Sequence, residues 1–268
     1  MIIGAVLGSP ISHSLSPLLH STAFKILGIA GQYSAIEVKS GELGSFIAKS
    51  GPAFDYFSLT MPLKEEVLDL SIKADELSQR IQSGNTLIRS QTDWKLTSTD
   101  GAGFVEALRA HGLTQCAKVL VLGAGGTARA VVGALGEISR EVHVMGRSSA
   151  REDSIARCAQ GRPFEYIRWR SDIDFSSYDL VVNTTPAGAA DLCAEYIVRG
   201  SISVLFDVLY KPWPTVLARR WSDNGGKVIS GLDLLLYQGI AQIELVLGET
   251  FDRAALAKEL RIALISAR

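Results

Sequence analysis

An apolar run ending at Leu122 passes directly into Gly123-Ala124-Gly125-Gly126-Thr127-Ala128, which spells G-x-G-x-x-A at the mouth of a helix. In that order of strand, turn and helix, Gly123 permits a tight turn and Gly125 lets a pyrophosphate approach the backbone. Ala128 allows close packing of the helix, whose first N–H groups face the phosphates. A tight turn with no ligand would use the same glycines. The second strand of such a unit, about 20 residues on, normally ends in a carboxylate that holds the ribose 2′-hydroxyl. Here residues 144–151 read V-M-G-R-S-S-A-R, with no acid before Glu152. Arg147, Ser148 and Arg151 suit a 2′-phosphate that an aspartate would repel, so the turn favours NADP over NAD unless these arginines are plain solvated charges.

Such a cofactor carries hydride, and hydride transfer to a carbonyl creates an alkoxide that needs a proton donor and polar anchors for the rest of the substrate. Three polar clusters in the first 100 residues offer them. Ser9-Pro10-Ile11-Ser12-His13-Ser14-Leu15-Ser16-Pro17 gathers hydroxyls at a helix start, where they would either hold a carboxylate or only cap the helix. Ser58-Leu59-Thr60-Met61-Pro62-Leu63-Lys64 places a lysine in the first turn of a helix. The helix dipole disfavours a lysine there, which hints at a task, although a surface lysine is the simpler local reading. Asn85-Thr86 and Thr99-Asp100 form the third, where Asp100 could cap its helix or face Lys64, the cap being the simpler local reading.

These residues need elements to carry them. Strands are expected at 2–7, 32–38, 56–60, 85–88 and 94–97, with helices between most of them. Ser16-Pro17 predicts a helix start, with the Ser16 hydroxyl as cap, and Gly28 its end. A helix opening at Asp100 and stopping near Gly112 joins two domains. Beyond it strands at 118–122, 141–145, 180–183, 204–207 and 227–230 alternate with helices at 128–138, from about 149, and at 214–222. Strands apolar throughout and separated by helices mean a parallel sheet covered on both faces. Two closing helices, 232–247 and 253–265, have no strand between them and are free to return to the first domain.

Composition narrows the function classes. The 268 residues are enough for about two domains, and 47% apolar with 21% charged residues is an ordinary globular balance. The 27 Lys+Arg nearly cancel 28 Asp+Glu, so no field draws nucleic acid or an anionic membrane. Cys116, Cys158 and Cys193 form no CxxC or disulfide pattern, the four histidines show no ligand spacing, and no metal is assigned. The N-terminus reads as a strand rather than a signal peptide, and the most apolar stretch, 231–248, is interrupted by Asp233, Gln238, Gln242 and Glu244. A cytoplasmic protein with no nucleic-acid or membrane partner is expected.

Nearly the whole chain resembles the shikimate dehydrogenases, NADP-dependent enzymes that reduce 3-dehydroshikimate to shikimate in aromatic amino-acid biosynthesis. The resemblance rests on G-S-P-I-S-H-S-L-S-P at 8–17, L-T-M-P-L-K at 59–64, N-T at 85–86 and T-D-G at 99–101. It continues in G-A-G-G at 123–126, N-T-T-P at 183–186, D-V-L-Y at 207–210 and L-Y-Q-G at 236–239. It implies an α/β fold of two αβ domains flanking a cleft, the second a Rossmann-type parallel sheet. The substrate domain would be 1–100 plus 233–268 and the NADP domain 101–232. It further implies that Lys64 is the catalytic acid/base, oriented by Asp100, and that Ser14 and Ser16 bind the substrate carboxylate. Thr60, Asn85, Asp100, Tyr210 and Gln238 would contact its hydroxyls or ring. Gly123, Ala124, Gly125, Gly126 and Thr127, with Arg147, Ser148 and Arg151, would hold NADP. Thr184, Val208 and Gly231 would line the nicotinamide side, with Glu76 a weaker candidate there.

The chain departs from the family pattern at Ser98, at Gln82-Ser83-Gly84, at Gly188-Ala189 and at Gly146, which stands where the family has an asparagine before the phosphate-binding arginine. Gly146 loses a side-chain contact to the cofactor, whereas Lys64 and Asp100 are both kept. Ser16 favours shikimate, since a threonine there resembles the quinate-using relatives. The competing readings are a quinate/shikimate dehydrogenase of broad specificity and a non-catalytic dinucleotide-binding protein. A monomer or a homodimer fits equally.

Overall fold

The structure is a computed structural model that describes residues 1–91, 93–198, 200 and 203–267. The chain divides into two compact units, Met1–Gly103 with Leu235–Arg268, and Phe104–Leu234.

The first unit opens with a βαβ step. Strand β1 (Ile2–Gly8), helix α1 (Ser16–Ile26) and strand β2 (Gly31–Glu37) lead through α2 (Leu43–Ser50) to β3 (Tyr56–Leu59). Both β2 and β3 pair parallel with β1. The turn that leaves α1 passes through Gly28, whose φ of +68° is cheap only for glycine. Ser16 does not cap α1 as expected. It is the first helical residue and buried, and the helix start has no side-chain cap; instead the Ser16 N–H donates to Ser14 Oγ at 3.3 Å.

Next come α3 (Leu63–Glu66), the short β4 (Lys73–Ala74), α4 (Glu76–Ile81), β5 (Thr86–Ser90) and β6 (Asp93–Thr97). β5 runs antiparallel to both β3 and β6, in a sheet of order β2-β1-β3-β5-β6-β4. The period of two divides the strands between faces. Ala5, Leu7, Phe57, Leu59, Leu87 and Leu96 join Leu43, Leu63 and Val67 in one core, while Val6, Tyr33 and Tyr56 pack with Phe24 in another.

Within α5 (Asp100–Ala110) the chain enters the second unit. There β7 (Cys116–Leu122), α6 (Gly126–Ala134), β8 (Ser139–Gly146), α7 (Glu152–Cys158) and β9 (Phe164–Arg168) wind to one side. β10 (Leu180–Asn183), β11 (Val204–Asp207), α8 (Val216–Asp223) and β12 (Lys227–Ser230) wind to the other. The sheet is wholly parallel, in the order β12-β11-β10-β7-β8-β9. The strand order reverses between β7 and β10, and in such sheets the carboxyl ends at the reversal are where ligands bind. α9 (Gly231–Leu247) then carries the chain back to the first unit, where α10 (Arg253–Ser266) packs on α1.

Further details differ from the sequence reading. β9 was not expected, because F-E-Y-I-R is a half-exposed edge strand paired only with β8 and lacks an apolar run. α6 stops at Ala134, a 3₁₀ turn taking over from Leu135. α8 starts at Val216 because Thr215 caps it, its Oγ1 accepting from the Ala218 N–H at 3.0 Å. Among the described residues no helix is long and apolar enough to cross a membrane.

Candidate active site

The first unit gathers its polar residues at one end of its sheet. Because β5 is antiparallel to β3 and β6, its first residues lie beside the last residues of those two strands. The Leu59 N–H donates to the Asn85 carbonyl at 2.8 Å, and the Asn85 N–H to the Thr97 carbonyl at 3.2 Å. The loop after β1 is stitched to the loop after β3 by the Ser9 N–H on the Met61 carbonyl at 3.0 Å. Gly8 matters in that join, since a Cβ there would lie 2.4 Å from Thr60 Cγ2.

α3 buries Leu63 completely, and the neighbouring Lys64 aims its amine at the start of α5. There Lys64 Nζ donates to Asp100 Oδ2 in a short ion pair. The other carboxylate oxygen, Oδ1, accepts from Asn85 Nδ2 at 2.8 Å. Of the two uses open to Asp100, facing Lys64 is the one its carboxylate makes. The side chains of Lys64 and Asp100 are 17% and 5% exposed, so this is a largely desolvated pair, in which removing either partner would strand a buried charge.

α9 contributes Gln238, whose Oε1 accepts from Asn85 Nδ2 at 3.2 Å. Thr60, Lys64, Asn85, Asp100 and Gln238 thus share one neighbourhood, and the Ser14–Ser16 turn belongs to the loop stitched to Met61. Tyr210 lies in the second unit, and Glu76 is an exposed residue of α4 in the first.

In the second unit the glycine turn sits at the strand reversal. Gly123 has φ +104°, and a Cβ on it would lie 2.6 Å from Thr184 Oγ1, which itself donates to the Leu122 carbonyl at 2.7 Å. Gly125 caps α6 through no side chain, and a Cβ on it would meet no atom within 4 Å. The turn is therefore an open cradle of backbone N–H groups at a helix start, which fits a pyrophosphate. At the end of β8, Arg147, Ser148 and Arg151 are exposed, and Arg151 Nη1 donates to the Ala124 carbonyl at 3.1 Å, tying this turn to the cradle. Those donors, with no acid among them, fit a phosphorylated ribose.

Two supporting residues escaped the sequence reading. Tyr166 on β9 reaches under the β8 turn, donating to the Ser148 carbonyl at 2.7 Å. It occupies the space Gly146 leaves, since a Cβ at Gly146 would stand 2.0 Å from its hydroxyl. Asp207, fully buried, accepts from Asn183 Nδ2, the Leu209 N–H and Thr215 Oγ1 at 3.1, 3.1 and 2.7 Å. Burial raises its pKa against those three bonds. It shapes the start of the loop holding Val208 and Tyr210, and Gly231 closes on that loop so tightly that a Cβ would sit 2.0 Å from the Val208 carbonyl oxygen. The available signal was a polar residue ending each of two apolar strands, Asn183 on β10 and Asp207 on β11, which pair in register.

Known proteins resemble this chain over nearly its whole length. Residues 6–87 match the family model described as the shikimate dehydrogenase substrate binding domain. The shikimate dehydrogenase (NADP(+)) of Thermosynechococcus vestitus is 35% identical over 97% of this chain and 94% of its own. The shikimate dehydrogenase of Mycobacterium tuberculosis superposes with TM-score 0.85 at 34% identity, over 98% of this chain and 99% of that one. The shikimate 5-dehydrogenase of Thermus thermophilus, solved with NADP(H) and shikimate, gives TM-score 0.84 at 32% identity, over 98% and 100%. This chain belongs to the shikimate dehydrogenase family.

Proposed function

We infer that the protein is an NADP-dependent shikimate dehydrogenase, reducing 3-dehydroshikimate to shikimate with NADPH in aromatic amino-acid biosynthesis. The observation that carries this is the Lys64–Asp100 pair, with the second carboxylate oxygen held by Asn85, in a chain that also presents a dinucleotide cradle and an acid-free, arginine-bearing turn.

Bound NADPH supplies the hydride that reduces the ketone. Lys64 delivers the proton that the nascent alkoxide needs, and in the direction of shikimate oxidation it accepts that proton. Asp100 keeps the ammonium aimed and balances its charge. Ser14 and Ser16 donate to the substrate carboxylate, while Thr60, Asn85, Gln238 and Tyr210 hold the hydroxyls and ring. The backbone of Gly123, Ala124, Gly125, Gly126 and Thr127 binds the pyrophosphate. Arg147, Ser148 and Arg151 bind the 2′-phosphate, and Thr184, Val208 and Gly231, with Glu76 as a weaker contact, flank the nicotinamide. The substrate is a small molecule, and the three cysteines, all free and buried, suit a reducing cytoplasm.

Cofactor absorbance must rise when shikimate is added with NADP, and more slowly with quinate or NAD. Lys64→Ala must abolish most of that turnover while shikimate still binds; a variant as fast as wild type overturns the role of Lys64.

A further inference from the structure

Asn85, which holds Asp100, is itself held from behind. Its neighbour Thr86 and the α9 residue Gln242 are both fully buried. Gln242 Nε2 donates to Thr86 Oγ1 at 2.8 Å, and Thr86 Oγ1 donates to Asn85 Oδ1 at 2.8 Å. On the far side Ser58 Oγ donates to Gln242 Oε1 at 2.7 Å, and Tyr33 Oη to Ser58 Oγ at 2.5 Å.

The direction of every bond in this chain is set by a backbone group. Gln242 Nε2 also meets the Asn85 carbonyl at 3.2 Å, and a carbonyl can only accept, so that end of the amide is the nitrogen. Asn85 Oδ1 meets the Thr99 N–H at 2.8 Å, and an N–H can only donate, so that end is the oxygen. Thr86, standing between an amide nitrogen and an amide oxygen, must accept from Gln242 and donate to Asn85. Ser58 must spend its single proton on Gln242 Oε1, which leaves Tyr33 as the donor to Ser58. All the donors therefore point one way, through two amides, and the line ends on the Asp100 carboxylate, which Lys64 meets from its other oxygen.

On the reading of Lys64 as proton carrier, we propose that Thr86 and Gln242 are positioning residues for the reaction. They transmit a one-way relay of hydrogen bonds that fixes the rotation of the Asn85 amide, and through it the aim of Asp100 at Lys64. Such a line of bonds polarises each successive donor in a low-dielectric interior, and its terminus is the Asp100 carboxylate. Neither residue belongs to the substrate contacts.

Thr86→Val is the direct test, because it cuts the relay while leaving both amides their backbone partners, Asn85 O and Thr99 N. The kcat for shikimate oxidation is expected to fall about five- to tenfold while KM shifts less than about twofold, with a thermal midpoint within about 4 °C of wild type. Thr86→Ser restores the hydroxyl and must return kcat to within about twofold. Should Thr86→Val not fold, Ser58→Ala cuts the relay one link beyond Gln242 and must lower kcat about threefold at constant KM.

A folded Thr86→Val or Ser58→Ala enzyme with wild-type kcat overturns the relay, as does a loss seen only in KM or an equal loss in Thr86→Ser. Lys64→Ala measured alongside separates the two levels. If it turns over like wild type, the reading of Lys64 fails and the relay with it; if it is inactive while Thr86→Val is unimpaired, the relay alone fails.

Discussion

The two units build their sites in opposite ways. In the first, the working groups are side chains bonded to side chains in a desolvated interior, across separations as wide as the 184 positions between Ser58 and Gln242. In the second, a run of five consecutive residues offers its backbone, and the charged contributors, Arg147 and Arg151, stand exposed. The difference follows from the ligand chemistry. Moving one proton requires a donor held in a fixed direction, which buried hydrogen bonds supply. Gripping a phosphate needs N–H dipoles and positive charge, which work at a surface and can be read along a single stretch of chain.

The largest break in the comparison is expected at Asp100. Asp100→Ala leaves the Lys64 ammonium and the Asn85 amide facing an empty position, and kcat is expected to drop by about 10² to 10⁴. Stability falls by about 3 kcal/mol, read by denaturant titration, while NADP binding measured by fluorescence stays near wild type. Equal damage to NADP binding would show that the two halves are not separable.

Gly125→Ala makes the converse cut. Its φ of −85° and ψ of −171° suit any residue, and the new methyl meets no protein atom, so the fold is expected to tolerate it. If the cradle holds the pyrophosphate, the methyl stands in its approach, and KM for NADP should rise about tenfold or more, roughly 1.4 kcal/mol. An unchanged KM would remove the cradle from the cofactor site.

Charge reversal at the exposed turn sharpens the picture further. Arg147→Glu with Arg151→Glu should lower the preference for NADP over NAD by about tenfold or more, an effect that added salt weakens, with KM for shikimate unmoved. Preference retained in that double variant would assign the 2′-phosphate elsewhere.

His20 offers a pH test of the first unit. Fully buried, stacked on Tyr33 at 4.0 Å and bonded to Tyr56 Oη at 2.8 Å, it is pushed down to about 3 by burial. Between about pH 6.5 and 3 the unfolded imidazole takes up a proton that the folded one refuses. The protein therefore loses stability as pH falls through that window and is fully stabilised by this group above it, with a slope of at most about 1.4 kcal/mol per pH unit. Denaturant titrations of His20→Gln should show a shallower slope there; an unchanged slope would place the acid sensitivity in other groups. Smallest is Tyr166→Phe, which loses the bond to the Ser148 carbonyl and should raise KM for NADP about twofold, leaving KM for shikimate alone.

What was legible in the sequence and what was not divides along the same line. The glycine turn, the acid-free end of β8 and the alternation of apolar strands with helices could be read directly, because each is local: a turn needs its own glycines, and a buried parallel strand needs its own apolar run. Lys64 and Asp100 could be singled out by type, and their significance came from resemblance rather than from any local feature. On local grounds Lys64 read as a surface residue and Asp100 as a helix cap. β9 stayed hidden because an edge strand buries little, and Tyr166 with it.

Only the tertiary structure decided which polar residues meet. The antiparallel course of β5 sets Asn85 beside the ends of β3 and β6, and the return of α9 lays Gln238 and Gln242, one helical turn apart, against it. A hydrogen bond depends on distance and angle in space, and nothing in the spacing of residues 58, 86 and 242 along a chain encodes that they will touch.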